Sequence, residues 1–330
     1  MAHDLPAGVR HWLAGQAEGV RLSALREQHG TISRHYRAGG ASSGVVDSSG
    51  SVLAYALGRM PATYAACHAA LRQLVAVRAE LAPESLIDLG CGTGAATLAA
   101  LETFPSLRAV RLIDHNAPFL RFAETLLRDT GATTGRGVSC SLGNIVDSGT
   151  EATDIVAMSY ALVELGEGDA RRAVLNAWAR TEMALLLVEP GSRAGFSRIL
   201  AARKALIDAG ACIAAPCTHC TTCPVPEGDW CHFSVRLARS RGHRFVKGAD
   251  APFEDEKFSY LIAVRAEPRV ATRGRIVAPP RHEKGGSRFR LCTEGGLHDV
   301  TVASRDSAHK RLKKLMWGEL MPSDGADAAN

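Results

Sequence analysis

The spacing of apolar residues changes twice along the chain. Up to about residue 80 they recur every three or four positions, most clearly over 20–29 and 54–81, which predicts helices. A glycine- and serine-rich stretch at 37–44 separates those runs and reads as a flexible loop. From 85 to 204 short apolar runs alternate with helical ones. Strands are predicted at 85–89, 108–113, 137–142, 154–159 and 183–188, and helices at 93–103, 117–129, 168–180 and 192–209. Such alternation predicts an α/β fold, a doubly wound parallel sheet with helices on both faces and its ligand site at the carboxyl ends of the strands. The alternation stops at 214–232 and a strand returns at 257–265. Beyond Pro268, short runs at 273–281, 287–292 and 297–302, broken by Gly and Pro, predict a small β-rich, barrel-like appendage, then a basic helix at 307–317. The expected organisation is a helical segment 1–82, a core 83–267 with an insertion 211–255, an appendage 268–320 and a disordered tail 321–330.

The stretch that fixes the chemistry is Asp88-Leu-Gly90-Cys-Gly92-Thr93-Gly94, a strand end breaking into three glycines before a helix. Glycine lets the backbone turn sharply and approach a ligand, and the N–H groups of the helix start then face it. A dinucleotide fingerprint would place its third glycine at 95, where Ala95 stands. Asp88 suits a ligand with an ammonium group, and the run resembles the first motif of class I S-adenosylmethionine-dependent methyltransferases. The strand ends add Asp114, placed for two ribose hydroxyls or for capping the next helix, then Asn144, Tyr160 and the run Glu189-Pro-Gly. Asp88, Gly90, Gly92, Thr93, Asp114, Asn144 and Tyr160 are the candidate cofactor residues.

Charge and composition narrow the setting. The net charge is +5, yet residues 236–314 hold nineteen Lys and Arg against nine Asp and Glu, a net +10, which leaves −5 elsewhere. A basic third on an acidic body suits a polyanion, most simply nucleic acid. No apolar run approaches the roughly 20 residues of a membrane span, so no membrane partner is expected. The start lacks the basic and apolar blocks of a secretory signal, and the nine cysteines argue for thiols over disulfides, so a cytoplasmic protein is expected.

Cys217, Cys220, Cys223 and Cys231 lie within fifteen residues among Thr, His, Pro and Gly, which build no core. Thiolates so spaced suit zinc or an iron–sulfur cluster. Spacing alone does not choose the metal or the ligands, because Cys292, His219 and His232 are also at hand.

Longer runs add a resemblance. Asp-Trp-Cys-His-Phe-Ser at 229–234 and Pro-Phe-Glu-Asp-Glu-Lys-Phe-Ser-Tyr at 252–260 are similar to the mitochondrial small-ribosomal-subunit assembly factor family and its bacterial relatives, which are methyltransferase-like. Residues 54–71, 159–165, 189–196 and 275–281 extend the likeness over most of the chain. The resemblance implies a class I methyltransferase fold with a Rossmann-like sheet, S-adenosylmethionine, small-subunit rRNA or the immature small subunit as partner, and a [4Fe-4S] cluster. Its spacing C-x₅-C-x₇-C with a distant cysteine falls on Cys217, Cys223, Cys231 and Cys292 and leaves Cys220 extra. A monomer is expected.

Two activities compete. One is methyl transfer to rRNA, an in-line displacement in which positioning does much of the work. No Asn-Pro-Pro-Tyr/Phe run follows the fourth strand, where Ser159-Tyr-Ala-Leu stands, and no catalytic residue is assigned. The other is a non-catalytic assembly factor that uses the fold as an rRNA-docking scaffold.

Overall fold

The structure, a computed structural model, describes residues 3–147, 149–266 and 271–323. Four helices lead: α1 (Ala7–Gln16), α2 (Leu22–Arg37), α3 (Ser49–Gly58) and α4 (Met60–Val77). The long apolar run at 54–81 is therefore two helices. Gly58 closes α3, and Pro61 occupies the first turn of α4, where a missing N–H costs nothing. Ser48 and Ser51 cap α3 reciprocally.

The core then alternates as the sequence predicts: β1 (Ser85–Leu89), α5 (Ala95–Thr103), β2 (Ala109–Asp114), α6 (Ala117–Asp129), β3 (Gly137–Leu142), β4 (Thr153–Ser159), α7 (Glu167–Arg180), β5 (Thr181–Pro190) and α8 (Arg193–Asp208). After it come β6 (Cys212–Ala215), β7 (Phe233–Ala238), α9 (Arg241–Lys247) and β8 (Phe253–Val264). These strands form one sheet in the order β3-β2-β1-β4-β5-β8-β6, with β7 also paired to β8. The first five pair in parallel, but β8 runs antiparallel to β5, β6 and β7, so the sheet is mixed and Rossmann-like. A wholly parallel sheet was expected, and β8 is the departure. Because strand side chains alternate between faces, Leu86, Leu186 and Ile262 join one core beneath α4 and α5, and Ile87, Leu187 and Ala263 join the other beneath α7 and α8.

Residues 236–255, the later part of the expected insertion, hold half of β7, all of α9 and the start of β8. β7 turns Phe233, Val235 and Leu237 inward, and Arg236 on its outer face pairs with Asp255 across the ladder. The appendage is a second sheet, β9 (Thr272–Ile276), β10 (Arg281–Glu283), β11 (Gly286–Thr293), β12 (Gly296–Ala303) and β13 (Leu320–Pro322), ordered β10-β11-β9-β13 with β12 on β11. Its own core is small: Ile276, Phe289, Leu291, Val302, Leu312 and Met321. The basic helix expected at 307–317 contracts to one turn, α10 (His309–Leu312), because the chain must reach back to pair β13 with β9. The tail expected from 321 thus starts in a strand, and its residues 324–330 lie outside the described residues, as does the expected boundary at 267/268. Among the described residues, no helix is long and apolar enough to cross a membrane.

Candidate cofactor site and cysteine cleft

β1 delivers the glycine loop to the carboxyl edge of the sheet. Gly90, Gly92 and Gly94 all take left-handed φ of 52° to 81°, which side-chain-bearing residues adopt only with strain. A Cβ on Gly90 would sit 2.9 Å from Ala161 Cβ, whereas one on Gly92 would meet nothing within 4 Å. The loop is packed on one flank and open on the other.

The two acids brace this loop. Asp88 Oδ2 accepts hydrogen bonds from the backbone N–H of Thr97 (3.1 Å) and from its hydroxyl (2.7 Å), locking β1 to α5. Its Oδ1 is buried without a partner, and burial lifts the carboxyl to about 6. Asp114 Oδ2 accepts from Gly92 N–H (2.8 Å) and its Oδ1 from Asn116 N–H (2.8 Å). Burial pushes Asp114 up, and those N–H groups pull it back. The expected contacts of Asp88 with an ammonium group and Asp114 with ribose therefore compete with bonds inside the protein. Thr93 is buried in the loop, and Asn144 is exposed, its Oδ1 accepting from Val146 N–H at 2.9 Å. Tyr160, directly after β4, is the non-glycine residue with positive φ (56°) among those described. Its hydroxyl donates to Glu256 Oε1 at 2.9 Å.

Sequence reasoning missed the lid of this site. Glu164 Oε2 accepts from both the N–H and the hydroxyl of Ser42 (3.1 Å each), and Asn116 Nδ2 donates to Val46 O (2.8 Å). The stretch at 37–44, expected only as a flexible loop, is thus fastened at its end across the strand ends. Glu189 at the end of β5 is buried, and that burial, opposed by Arg198, lifts it to about 8. The only sequence signal for Glu164 and Glu189 was their place in the runs after β4 and β5.

The cysteines gather elsewhere. Cys217, Cys223 and Cys231 on the loop between β6 and β7, and Cys292 on β11, line one cavity of about 460 Å³ between the core sheet and the appendage. All are free thiols. Burial and then the thiols of Cys217, Cys292 and Cys223 hold Cys231 well above the ordinary thiol range. Burial and then Cys217 and Cys223 push Cys292 up to about 12. Even so, among the described residues no three His, Cys, Asp or Glu side chains stand in metal-holding geometry, so the expected metal-binding insertion is not preformed. Cys220 is exposed and lines a second cavity of about 450 Å³ with Cys217. His219 Nε2 lies 3.6 Å from Cys292 Sγ.

The surroundings of the thiols suit an anionic, thiophilic group. Arg275 is fully buried and donates to Pro216 O (2.7 Å), Gly318 O (2.9 Å) and Gln73, tying appendage, cysteine loop and α4 together. Arg275 Nη2, Arg203 Nε and Tyr260 OH are buried without partners. Buried donors rarely stay unpaired, and Arg203 and Tyr260 line the cavity, so two of the three point to an acceptor there.

Mixed sheet, glycine loop and strand-end acids together define a methyltransferase-like protein of Rossmann type. The family model described as mitochondrial small ribosomal subunit Rsm22 matches residues 49–322, and the chain belongs to that family. It is 30% identical over 294 residues to the human ribosome assembly protein METTL17, mitochondrial, covering 82% of this chain and 62% of that protein. It is 24% identical over 330 residues to the Rsm22-cox11 tandem protein 2, mitochondrial, of Schizosaccharomyces pombe, covering 83% of this chain and 43% of that one. The chain thus spans about two fifths to three fifths of the length of these relatives. Among solved structures it is similar to magnesium protoporphyrin IX methyltransferase from Synechocystis with bound SAH (15% identity, 62% of this chain, 84% of that chain, TM-score 0.43). Precorrin-6y C5,15-methyltransferase from Geobacter metallireducens is another (14%, 59%, 86%, 0.40).

These names correct one expectation. Family and relatives are mitochondrial, which overturns the cytoplasmic location. Free thiols fit any reducing compartment, so they could not separate the cytoplasm from a mitochondrial interior.

Proposed function

We propose that this chain is a monomeric assembly factor that docks on the rRNA of the immature small ribosomal subunit. In this reading it binds S-adenosylmethionine at the glycine loop, with Asp88, Gly90, Gly92, Thr93, Asp114, Asn144 and Tyr160 around it. It carries a [4Fe-4S] cluster on Cys217, Cys223, Cys231 and Cys292, with zinc as the alternative metal. The observation that supports it best is the single cavity lined by these four cysteines at the junction of core and appendage. A bound cluster supplies a four-point link across that junction, so it sets the pose of the basic appendage against the core. Arg203 and Arg275 offset its negative charge, and Tyr260 can donate to its sulfurs.

The test is binding to purified immature small subunits across a salt series. If about six phosphates are neutralised, affinity falls about a thousandfold between 50 and 200 mM salt. A flat salt dependence, or unchanged binding after charge reversal at Lys313 and Lys314, overturns the docking reading.

Methyl transfer is the second reading, favoured by the strained backbone of Tyr160 at the end of β4. Mass spectrometry of rRNA from cells with and without the gene decides it. A methyl group lost with the gene and restored by the wild type, but not by Gly92→Val, establishes catalysis.

A further inference from the structure

The 460 Å³ cavity extends beyond the thiols. Its inner end is closed by Cys292 and Tyr260, both buried, and its outer end is half-open and aromatic. Trp230 and His232 stack there, ring centroids 5.3 Å apart and planes 19° apart, and Trp317 meets His232 edge-on at 5.2 Å. Trp230 Nε1 donates to Gly191 O at 3.0 Å, which fixes the indole plane. The rim is mainly cationic: Lys257 on β8 and Arg290 on β11 line the mouth with exposed side chains against one exposed acid, Asp229, and the exposed Arg193 lies over the Trp230 ring at 5.2 Å, where an incoming ring would displace it.

If this cluster served only to pack the appendage on the core, its polar atoms would be paired. Trp317 Nε1 and His232 Nδ1 are instead buried without partners. The whole cavity, thiol end included, has a volume within the range of small-ligand sites, roughly 300–1,000 Å³. Flat aromatic walls, unpaired polar atoms and a cationic mouth together match one chemistry: a planar heterocycle carrying acceptors, joined to phosphate.

We propose that the outer end of this cavity receives one unstacked nucleobase of single-stranded RNA, held against Trp230, His232 and Trp317, with its flanking phosphates on Lys257 and Arg290. This rests on the rRNA reading above and adds to it a site for a base, separate from the glycine loop and reaching onto the appendage through Arg290 and Trp317. Duplex RNA keeps its bases stacked and cannot fill such a slot, so the partner is a loop, bulge or end. Stacking on an indole tolerates any base, because every base has a π-face. The site therefore senses whether a nucleotide is unpaired, not which nucleotide it is.

The experiment uses the full chain, purified anaerobically with its metal, and two probes: a short single-stranded RNA and the same RNA with one abasic position. Wild type should bind the intact RNA more tightly. Trp230→Leu, which keeps apolar bulk but loses the ring, should weaken intact-RNA binding about ten- to a hundredfold. It should bind the abasic probe as wild type does and leave the salt slope unchanged. Trp230→Phe should recover most of the loss. Wild type binding both probes equally overturns the base site while leaving rRNA docking in place, and it does so without any variant. Trp230→Leu weakening both probes alike marks a structural role and overturns the site too. A wild type that binds neither probe overturns the rRNA reading itself.

Discussion

The glycine-loop site and the cysteine cleft handle their buried polar groups in opposite ways. At the glycine loop the acids are largely spent inside the protein: Asp88 on Thr97, Asp114 on Gly92 and Asn116, Glu164 on Ser42. One oxygen each of Asp88 and Glu189 accepts no hydrogen bond, Glu189 keeping only a 3.8 Å ion pair with Arg198, and burial lifts both acids toward the neutral form. At the cleft the unpaired groups are donors: Arg203 Nε, Arg275 Nη2 and Tyr260 OH. Donors on arginine cannot be relieved by a change of protonation near neutral pH. The first region satisfies most of its buried polar groups internally, and the second leaves donors without partners.

The largest effect that would break this contrast is at Cys292. It is the one thiol of the four that comes from the appendage, and the small core there supplies only about 3–5 kcal/mol. Cys292→Ser should lose the metal, shown by iron and sulfide counting and by the visible band after anaerobic purification. The appendage should then be cut readily in limited proteolysis, while S-adenosylmethionine binding by calorimetry stays as in wild type. A full, stable cluster in Cys292→Ser would falsify the ligand assignment. Zinc in the anaerobic wild type would change the metal and keep the contrast.

The next effect separates fold from ligand within the glycine loop. Gly90→Ala brings a Cβ to 2.9 Å from Ala161 at a φ of 73°, and should destabilise the protein by about 1–3 kcal/mol in urea unfolding. Gly92→Val, at φ 52° with open space before it, should cost only about 1–2 kcal/mol of strain. It should nonetheless abolish cofactor binding, because its side chain enters the space left for the ligand. Wild-type-like cofactor affinity in Gly92→Val would remove the glycine loop as the site.

The same contrast explains what was legible beforehand. The glycine loop is contiguous, so one stretch of sequence carried its strand, its turns and its helix start. The partners of its acids were not legible, because Ser42 and Glu164 stand 122 residues apart and no periodicity links them. β7 carried a period-two pattern in Phe233, Val235 and Leu237, but the cysteine-rich run before it and the charges after it hid the pattern. The first half of β8 is charged, and it is a strand because β7 pairs with it and Arg236 faces Asp255. The run at 307–317 has helix-forming residues throughout, yet tertiary pairing of β13 outweighs that weak local preference. At the cleft, spacing pointed to thiols and metal. It could not show that β11 brings Cys292 to the same cavity as the loop cysteines, nor that Arg275 sits buried among them.

The smallest expected effect concerns Cys220, and it probes how finely the cleft selects its ligands. By sequence it lies midway between Cys217 and Cys223, nearer to each than they are to one another, so it could replace either. In the fold it is exposed and faces a different cavity, which it shares with Cys217. Bringing its sulfur to the other side of the loop would require the backbone at 219–221 to turn over. That backbone is pinned, because Arg203 Nη2 donates to His219 O (2.9 Å) and to Thr221 O (2.8 Å). Cys220→Ser should therefore keep its full iron content and shift stability by no more than about 0.5 kcal/mol, the usual range for a surface change. Arg203→Met should release the loop, and only in that background should removing Cys220 alter iron occupancy. Loss of iron in Cys220→Ser alone would mean that the loop rearranges on metal binding and that the ligand set differs from the four thiols lining the cavity.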